Sequence, residues 1–322
     1  MADRQVLISG GLGFIGQALM APLLADGVRV RVLDDLSNPS IPPEVARGMG
    51  AEVIVGNIAD KDACFQAAEG VAGIVHLAAQ TYVARSIEDP WSDLRINGQG
   101  TLNLLEAARR CGVEHFVLAS SNAVAGTAQP PFSEEARLNP LSPYGCTKLL
   151  AESYCGVYAR THGVRTVALR FSNIFGPGSW RKGSVVATFI RKALQGEPVV
   201  VDGDGRQTRD FLYIDDLVAA IRLAMERAPA GEVFCIGAGR ATTIAEVVGE
   251  LDRIYSSWAG KPMMIEHGPP RLGDIRDNWS DISKAGRLLG FSPDRPLGVA
   301  MEQTFGWFVE EWLPVSGNWP TH

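Results

Sequence analysis

The chain has 322 residues, 46% hydrophobic and 20% charged, so it can bury one large or two medium domains and is not a disordered polymer. A formal charge of −6 leaves no general basic surface for nucleic-acid phosphates, which argues against a DNA or RNA partner. Five cysteines without CxxC spacing, Cys64, Cys111, Cys146, Cys155 and Cys235, and five scattered histidines suggest neither a disulfide framework nor a metal site.

In chain order, MADRQVLISGG opens on a strand-like run without a long apolar leader, and no later stretch approaches the ~20 apolar residues of a membrane span. A cytoplasmic protein with no membrane partner is expected. Short aliphatic or β-branched runs at 5–9, 29–33, 52–55, 73–77, 115–120 and 165–171 alternate with helix-like stretches. That alternation predicts an α/β fold, a doubly wound parallel sheet with helices on both faces. The stretches 101–112 and 148–163 carry aliphatics at helical spacing and end in glycine, predicting two long helices. Beyond residue 172 the texture turns to glycine and turn residues, which predicts a smaller, loop-rich C-terminal substrate domain over the sheet's carboxyl edge. The expected division is 1–172, with 209–237 returning to it, against 173–208 and 238–322.

VLISGGLGFIG (6–16) holds GxxGxxG from Gly10 and GxGxxG from Gly11, directly after the first strand and opening a helix. In that setting Gly10, Gly13 and Gly16 let the backbone turn tightly and approach a pyrophosphate, while the helix start at Phe14 and Ile15 offers free amides and positive dipole. After the second strand, Asp34 and Asp35 of VRVLDDLSN stand where a carboxylate bonds ribose hydroxyls, and Asn38 of the same stretch is a further cofactor-binding candidate. No arginine follows at once to take a 2′-phosphate, so NAD is expected rather than NADP. Asn57 and Ile58 of VGNIAD fall near an adenine edge, and HLAAQ brings Leu77, Ala78 and Ala79, with alanines small enough to let a cofactor pass.

SPYGCTK sets Tyr144 and Lys148 four residues apart on one helical turn, so both can face one ligand. A nearby ammonium and an oxidised nicotinamide both favour the ionised phenol, which makes a usable general base. FVLASSNAVAG ends the fifth strand at the same sheet edge and offers Ser120 and Ser121.

Across nearly its whole length, through GGLGFIG, DDLSN, HLAAQ, SPYGCTK, RFSNIFGPG, DGDGRQTRDFLYIDD and RLGD in order, the chain resembles the extended short-chain dehydrogenases/reductases of the nucleotide-sugar epimerase and dehydratase group. The resemblance implies a Rossmann-type domain and a catalytic set of Ser121, Tyr144 and Lys148. It implies Lys148 and Phe171 at the nicotinamide side, Asn97 in the bonding network, and a homodimer built on the two long helices. It implies as well that Tyr144 takes a proton from the sugar 4′-OH while C4 is oxidised.

Dehydratases of the group carry an Asp-Glu pair after the catalytic hydroxyl residue, and decarboxylases a Glu close behind it. Here those positions are Asn122 and Ala123, which have no proton to exchange with a substrate, so a UDP-sugar 4-epimerase is favoured. Ala125 stands where the family commonly has Tyr, which reshapes the pocket beside the sugar. By the same resemblance Asn173, Arg209 and Arg271 meet the diphosphate, Asp274 the ribose, and Val186 and Val200 the uracil. Arg suits a diphosphate because its fork donates bidentately. Arg181 and Lys182 lie on a loop that in the family overhangs the sugar, where either could receive a C6 carboxylate; UDP-glucose and UDP-glucuronate both stay open. The rival readings are a dehydratase or decarboxylase with acid groups recruited from elsewhere, and an NAD-binding redox sensor without chemistry.

Overall fold

The computed structural model describes residues 4–269 and 276–316. Six parallel strands form in chain order, β1 (Gln5–Ser9), β2 (Arg29–Asp34), β3 (Glu52–Val55), β4 (Gly73–His76), β5 (His115–Ser121) and β6 (Arg165–Phe171). A seventh, Glu232–Ile236, pairs with β6 at the edge, so the order runs β3-β2-β1-β4-β5-β6 and then the late strand, all parallel. The six predicted runs become strands with bounds shifted by a residue at most; the seventh lies in the segment 209–237.

Strand periodicity explains why the sheet is buried on both faces. Val6 and Ile8 enter one apolar cluster and Leu7 the other, and in β5 Val117 and Ala119 face opposite to Phe116 and Leu118. The order reverses between β1 and β4, the kind of switch point at whose carboxyl strand ends open α/β sheets offer a ligand crevice.

Two helices flank that crevice on the β4–β6 side. Gly100–Cys111 ends at Gly112 in a left-handed conformation, as its glycine predicts. It is preceded by a π-helical segment, Leu94–Gln99, and by the turn Pro90–Asp93, so helical backbone begins about ten residues earlier than the apolar spacing alone predicts. Pro143–His162 begins with Ser142 accepting the Gly145 amide at 3.2 Å and with Pro143 at its first position. It therefore also starts five residues before its aliphatic pattern. Past β6, short parallel pairs form outside the main sheet, Asn173–Phe175 with Phe211–Tyr213 and Val199–Asp202 with Ile265–Gly268. No helix among the described residues is long and apolar enough to cross a membrane.

Candidate active site

The glycine loop sits hard against the crevice floor. Gly10 has φ +69°, and a Cβ there would lie 2.7 Å from the Ala78 amide nitrogen; a Cβ on Gly16 would meet the backbone of Gly10 and Gly11. The helix that follows, Phe14–Ala25, starts at Gly13 with no side-chain cap and no acidic residue in its first turn. Its opening amides are thus offered to a ligand rather than to the chain itself.

Asp34 closes the far side of the loop, accepting the Leu12 amide through Oδ2 and the Leu36 amide through Oδ1, both at 3.0 Å. Burial pushes its carboxyl above the usual value, and those two amides oppose the shift. Asp35 is exposed and accepts from Ser37 and from Asn57 Nδ2 at 2.8 Å, so these two site candidates hold each other. Asn38 is exposed on the same turn, and buried Ile58 gives its carbonyl to Asn103.

A buried histidine, unforeseen from the sequence, ties the crevice floor together. His76 Nδ1 lies 2.7 Å from Ser9 Oγ and Nε2 3.0 Å from Thr101 Oγ1. Thr101 spends its own proton on the Asn97 carbonyl, so Nε2 donates and Nδ1 accepts from Ser9, whose oxygen also takes the Ala78 amide. Burial pushes this imidazole down to about 3 and the Lys148 charge adds to the effect, so it is neutral.

Ser121, Tyr144 and Lys148 converge at the end of β5. The Ser121 hydroxyl accepts the Ala123 amide and stands near enough to the Tyr144 phenol to favour its ionised form. The Lys148 ammonium lies 5.9 Å from the centre of the Tyr144 ring and donates to the Ala119 carbonyl. Burial raises the phenol above its ordinary value, the Ser121 hydroxyl opposes this, and Asp93 raises it further. Without a cofactor, the protein therefore does not hold the phenol ionised. Burial also brings Lys148 down to about 8, against the pull of Asp93 and Glu152.

Asp93 is the residue that motif reading missed. Fully buried, it accepts from Gln80 Nε2 at 2.9 Å, Asn97 Nδ2 at 3.0 Å and Thr147 Oγ1 at 2.6 Å. Asn97 adds two bonds to the backbone of Gln80, so it serves the network rather than standing free. Its spacing four before Asn97 was the available signal. Glu152, one further turn beyond Lys148, accepts from Ser120 and forms a buried ion pair with Arg170 at 2.8 Å; an acid inside an apolar helical face was its signal.

The remaining candidates divide between the crevice and the packing. Phe171 closes the end of β6, and Leu77 and Ala79 flank Ala78 at the end of β4. Asn122 donates to Ser280 Oγ at 2.9 Å, while its buried Oδ1 has no partner among the described residues. Asn173 donates to the Asp210 carbonyl, and Arg209 to those of Thr208 and Arg276. Val186 is packed in the core, whereas Val200 is partly exposed on a short strand. Arg181 follows Trp180 on a helical turn with its guanidinium 4.6 Å from that ring. Arg271 and Asp274 lie outside the described residues.

A family model for NAD-dependent epimerases and dehydratases matches residues 6–237, which include the glycine loop, Ser121, Tyr144 and Lys148. The chain belongs to the NAD-dependent epimerase/dehydratase family. It is 35% identical over 311 residues to a UDP-glucose 4-epimerase of Mycolicibacterium smegmatis, covering 94% of this chain and 98% of the relative. It is 32% identical over 324 residues to a dTDP-glucose 4,6-dehydratase of Streptomyces niveus, covering 97% and 95%. Among solved structures, a Tyr-to-Phe variant of a UDP-glucuronic acid 4-epimerase from Bacillus cereus, in complex with a fluorinated UDP-glucuronic acid and NAD, superposes with a TM-score of 0.86. That likeness is 29% in sequence and covers 95% of this chain and 99% of the other.

The cofactor of this family member is NAD, and the residues present fit it. The uncapped amides at Phe14 and Ile15, the glycine approach at Gly10 and the carboxylates after β2 would hold its pyrophosphate and ribose.

Proposed function

We propose that this family member is a UDP-sugar 4-epimerase acting on UDP-glucose or UDP-glucuronate. The observation that carries the reading is the convergence of Ser121, Tyr144 and Lys148 beside a strand end that continues into Asn122 and Ala123 rather than into acids. NAD supplies a reversible hydride acceptor and donor at sugar C4. Tyr144 removes the proton of the 4′-hydroxyl and later returns one to the C4 oxygen. Ser121 bonds the phenol and orients that oxygen, and Lys148 lowers the cost of the phenolate. Because the side chains at 122 and 123 cannot expel or protonate a C6 hydroxyl, the 4-keto sugar meets no elimination catalyst there. It rotates, takes the hydride back at C4 on its other face and a proton on its oxygen from Tyr144, and leaves as the epimer. Asn173, Arg209, Arg271 and Asp274 grip the nucleotide diphosphate and its ribose in this reading.

The kinship with dTDP-glucose 4,6-dehydratases supports the alternative outcome, so the test is product mass. Incubation with UDP-glucose, UDP-N-acetylglucosamine, UDP-glucuronate and UDP-xylose, followed by NMR and mass spectrometry, is expected to give an isomer of unchanged mass. A product lighter by one water or by carbon dioxide overturns the assignment. Tyr144→Phe is expected to abolish turnover with NAD affinity nearly unchanged; full activity in that variant rejects Tyr144 as the base.

The reading includes a homodimer. An apolar row, Ile87, Trp91 and Leu94, is exposed on the segment leading into the first long helix, and Val157 is exposed on the second. Leu94 and Leu150 of that second helix both border Gly98.

A further inference from the structure

The loop from Gly176 to Ser184 is built into the crevice from both sides. At one end Gly178, with φ +83°, packs directly on Gln17 of the helix that opens at the glycine loop. At the other, the Tyr82 hydroxyl, from the segment that follows β4, donates to the Arg181 carbonyl at 3.0 Å. Arg191 braces it from behind, donating to the carbonyls of Trp180 and Lys182 and to Thr188 Oγ1. The loop therefore runs as a strap between the two strand ends where the sheet order reverses, instead of hanging over the sugar side alone.

The strap carries one cation without a counter-charge. The Lys182 ammonium is partly buried, donates to the Ile174 carbonyl at 2.7 Å and lies 5.6 Å from the centre of the Phe14 ring. No carboxylate among the described residues pairs with it, and burial alone brings it down to about 8. Holding an ammonium out of water on a single carbonyl is costly, and an anion beside it removes that cost. Phe14 is the first residue of the helix whose uncapped amides would face the phosphates of a bound dinucleotide, which would supply the missing anion.

We propose that Lys182 is a cofactor-binding residue whose ammonium pairs with the NAD pyrophosphate at the start of the Phe14–Ala25 helix, making the Gly176–Ser184 strap a clasp over the bound dinucleotide. A compact ammonium suits a diphosphate as a point charge. The assignment rests on the family's NAD and is independent of which sugar is turned over. It removes Lys182 from the groups available to a sugar carboxylate and leaves Arg181 for that role.

The test is calorimetric titration of nucleotide-stripped protein with NAD and, separately, with UDP. Lys182→Met is expected to weaken NAD roughly tenfold or more, the loss of one charge-assisted contact, while UDP affinity stays at the parent's value and the nucleotide-stripped protein melts no lower than the parent. Lys182→Arg is expected to restore most of the NAD affinity. NAD bound by Lys182→Met as tightly as by the parent overturns the proposal, as does a variant that loses preference for UDP-glucuronate over UDP-glucose with NAD affinity intact, since that places the ammonium on the sugar. A parent that binds no NAD overturns the cofactor itself, a different failure. Should Lys182→Met not fold, Lys182→Gln carries the same comparison.

Discussion

The Lys148 ammonium donates to the carbonyl oxygen of Ala119 at 2.9 Å, which fixes the charge at the end of β5 and 5.9 Å from the Tyr144 ring centre. The ammonium is therefore positioned before any ligand arrives and costs no reorganisation during the reaction. Removing it leaves the phenol with its burial and with Asp93, both of which favour the protonated form. Lys148→Met is accordingly expected to lower kcat by ~100-fold or more and to move the acid limb of the pH–rate profile to higher pH. Initial rates across pH 6–10 check this; an unshifted limb would remove Lys148 from control of the base.

Asp93 acts with the opposite sign. Its charge raises the phenol and also supports the protonated ammonium. Asp93→Asn is expected to move the same acid limb to lower pH. The variant also turns an acceptor of three side-chain donors into a group that is half donor, so it should lose about 2–3 kcal/mol of stability. Urea unfolding beside the rate profile separates the two effects. A limb that moves upward contradicts the electrostatic role.

What could be read in advance follows from where the physics is local. A glycine loop between a strand and a helix, and a Tyr and Lys one turn apart, are fixed by backbone geometry and spacing, so Gly10, Tyr144 and Lys148 fall where their motifs place them. Asp93, Gln80 and Thr147 could not be read that way, because their bonds span 13 and 54 positions and exist only once the helices pack. The aliphatic pattern alone starts the second helix at 148, whereas the Tyr144–Lys148 spacing already asks for a helical turn before it, and Ser142 and Pro143 cap that turn chemically. The strap's tie to Tyr82 joins residues 99 apart, and no spacing rule reports it.

His76 makes a prediction about stability rather than rate. Its folded pKa of about 3 lies below the ordinary 6.5, so between those values the unfolded chain binds the extra proton. Stability must then fall as pH drops through that window, by at most ~1.4 kcal/mol per pH unit from this group. The parent is expected to lose stability faster than His76→Gln between pH 6.5 and 4.5, measured as urea-unfolding free energies at matched ionic strength. Parallel curves would mean that the imidazole is charged in the folded state.

The apolar row on the flanking helices provides the last test. Trp91 is 80% exposed and Ile87 62%, Leu94 borders Gly98 together with Leu150, and Val157 is exposed two turns further along the second helix. Large side chains so exposed and so aligned are costly in water, and a second copy related by a two-fold axis would present the same row in return. The pair of helices from each copy then packs as four, which places the interface directly behind Tyr144 and Lys148 on Pro143–His162. Trp91→Glu combined with Val157→Glu should convert the particle from dimer to monomer in analytical ultracentrifugation. It should also lower kcat, because the helix carrying the base loses its backing, with NAD affinity less affected. A parent that sediments as a monomer at every concentration rules the dimer out.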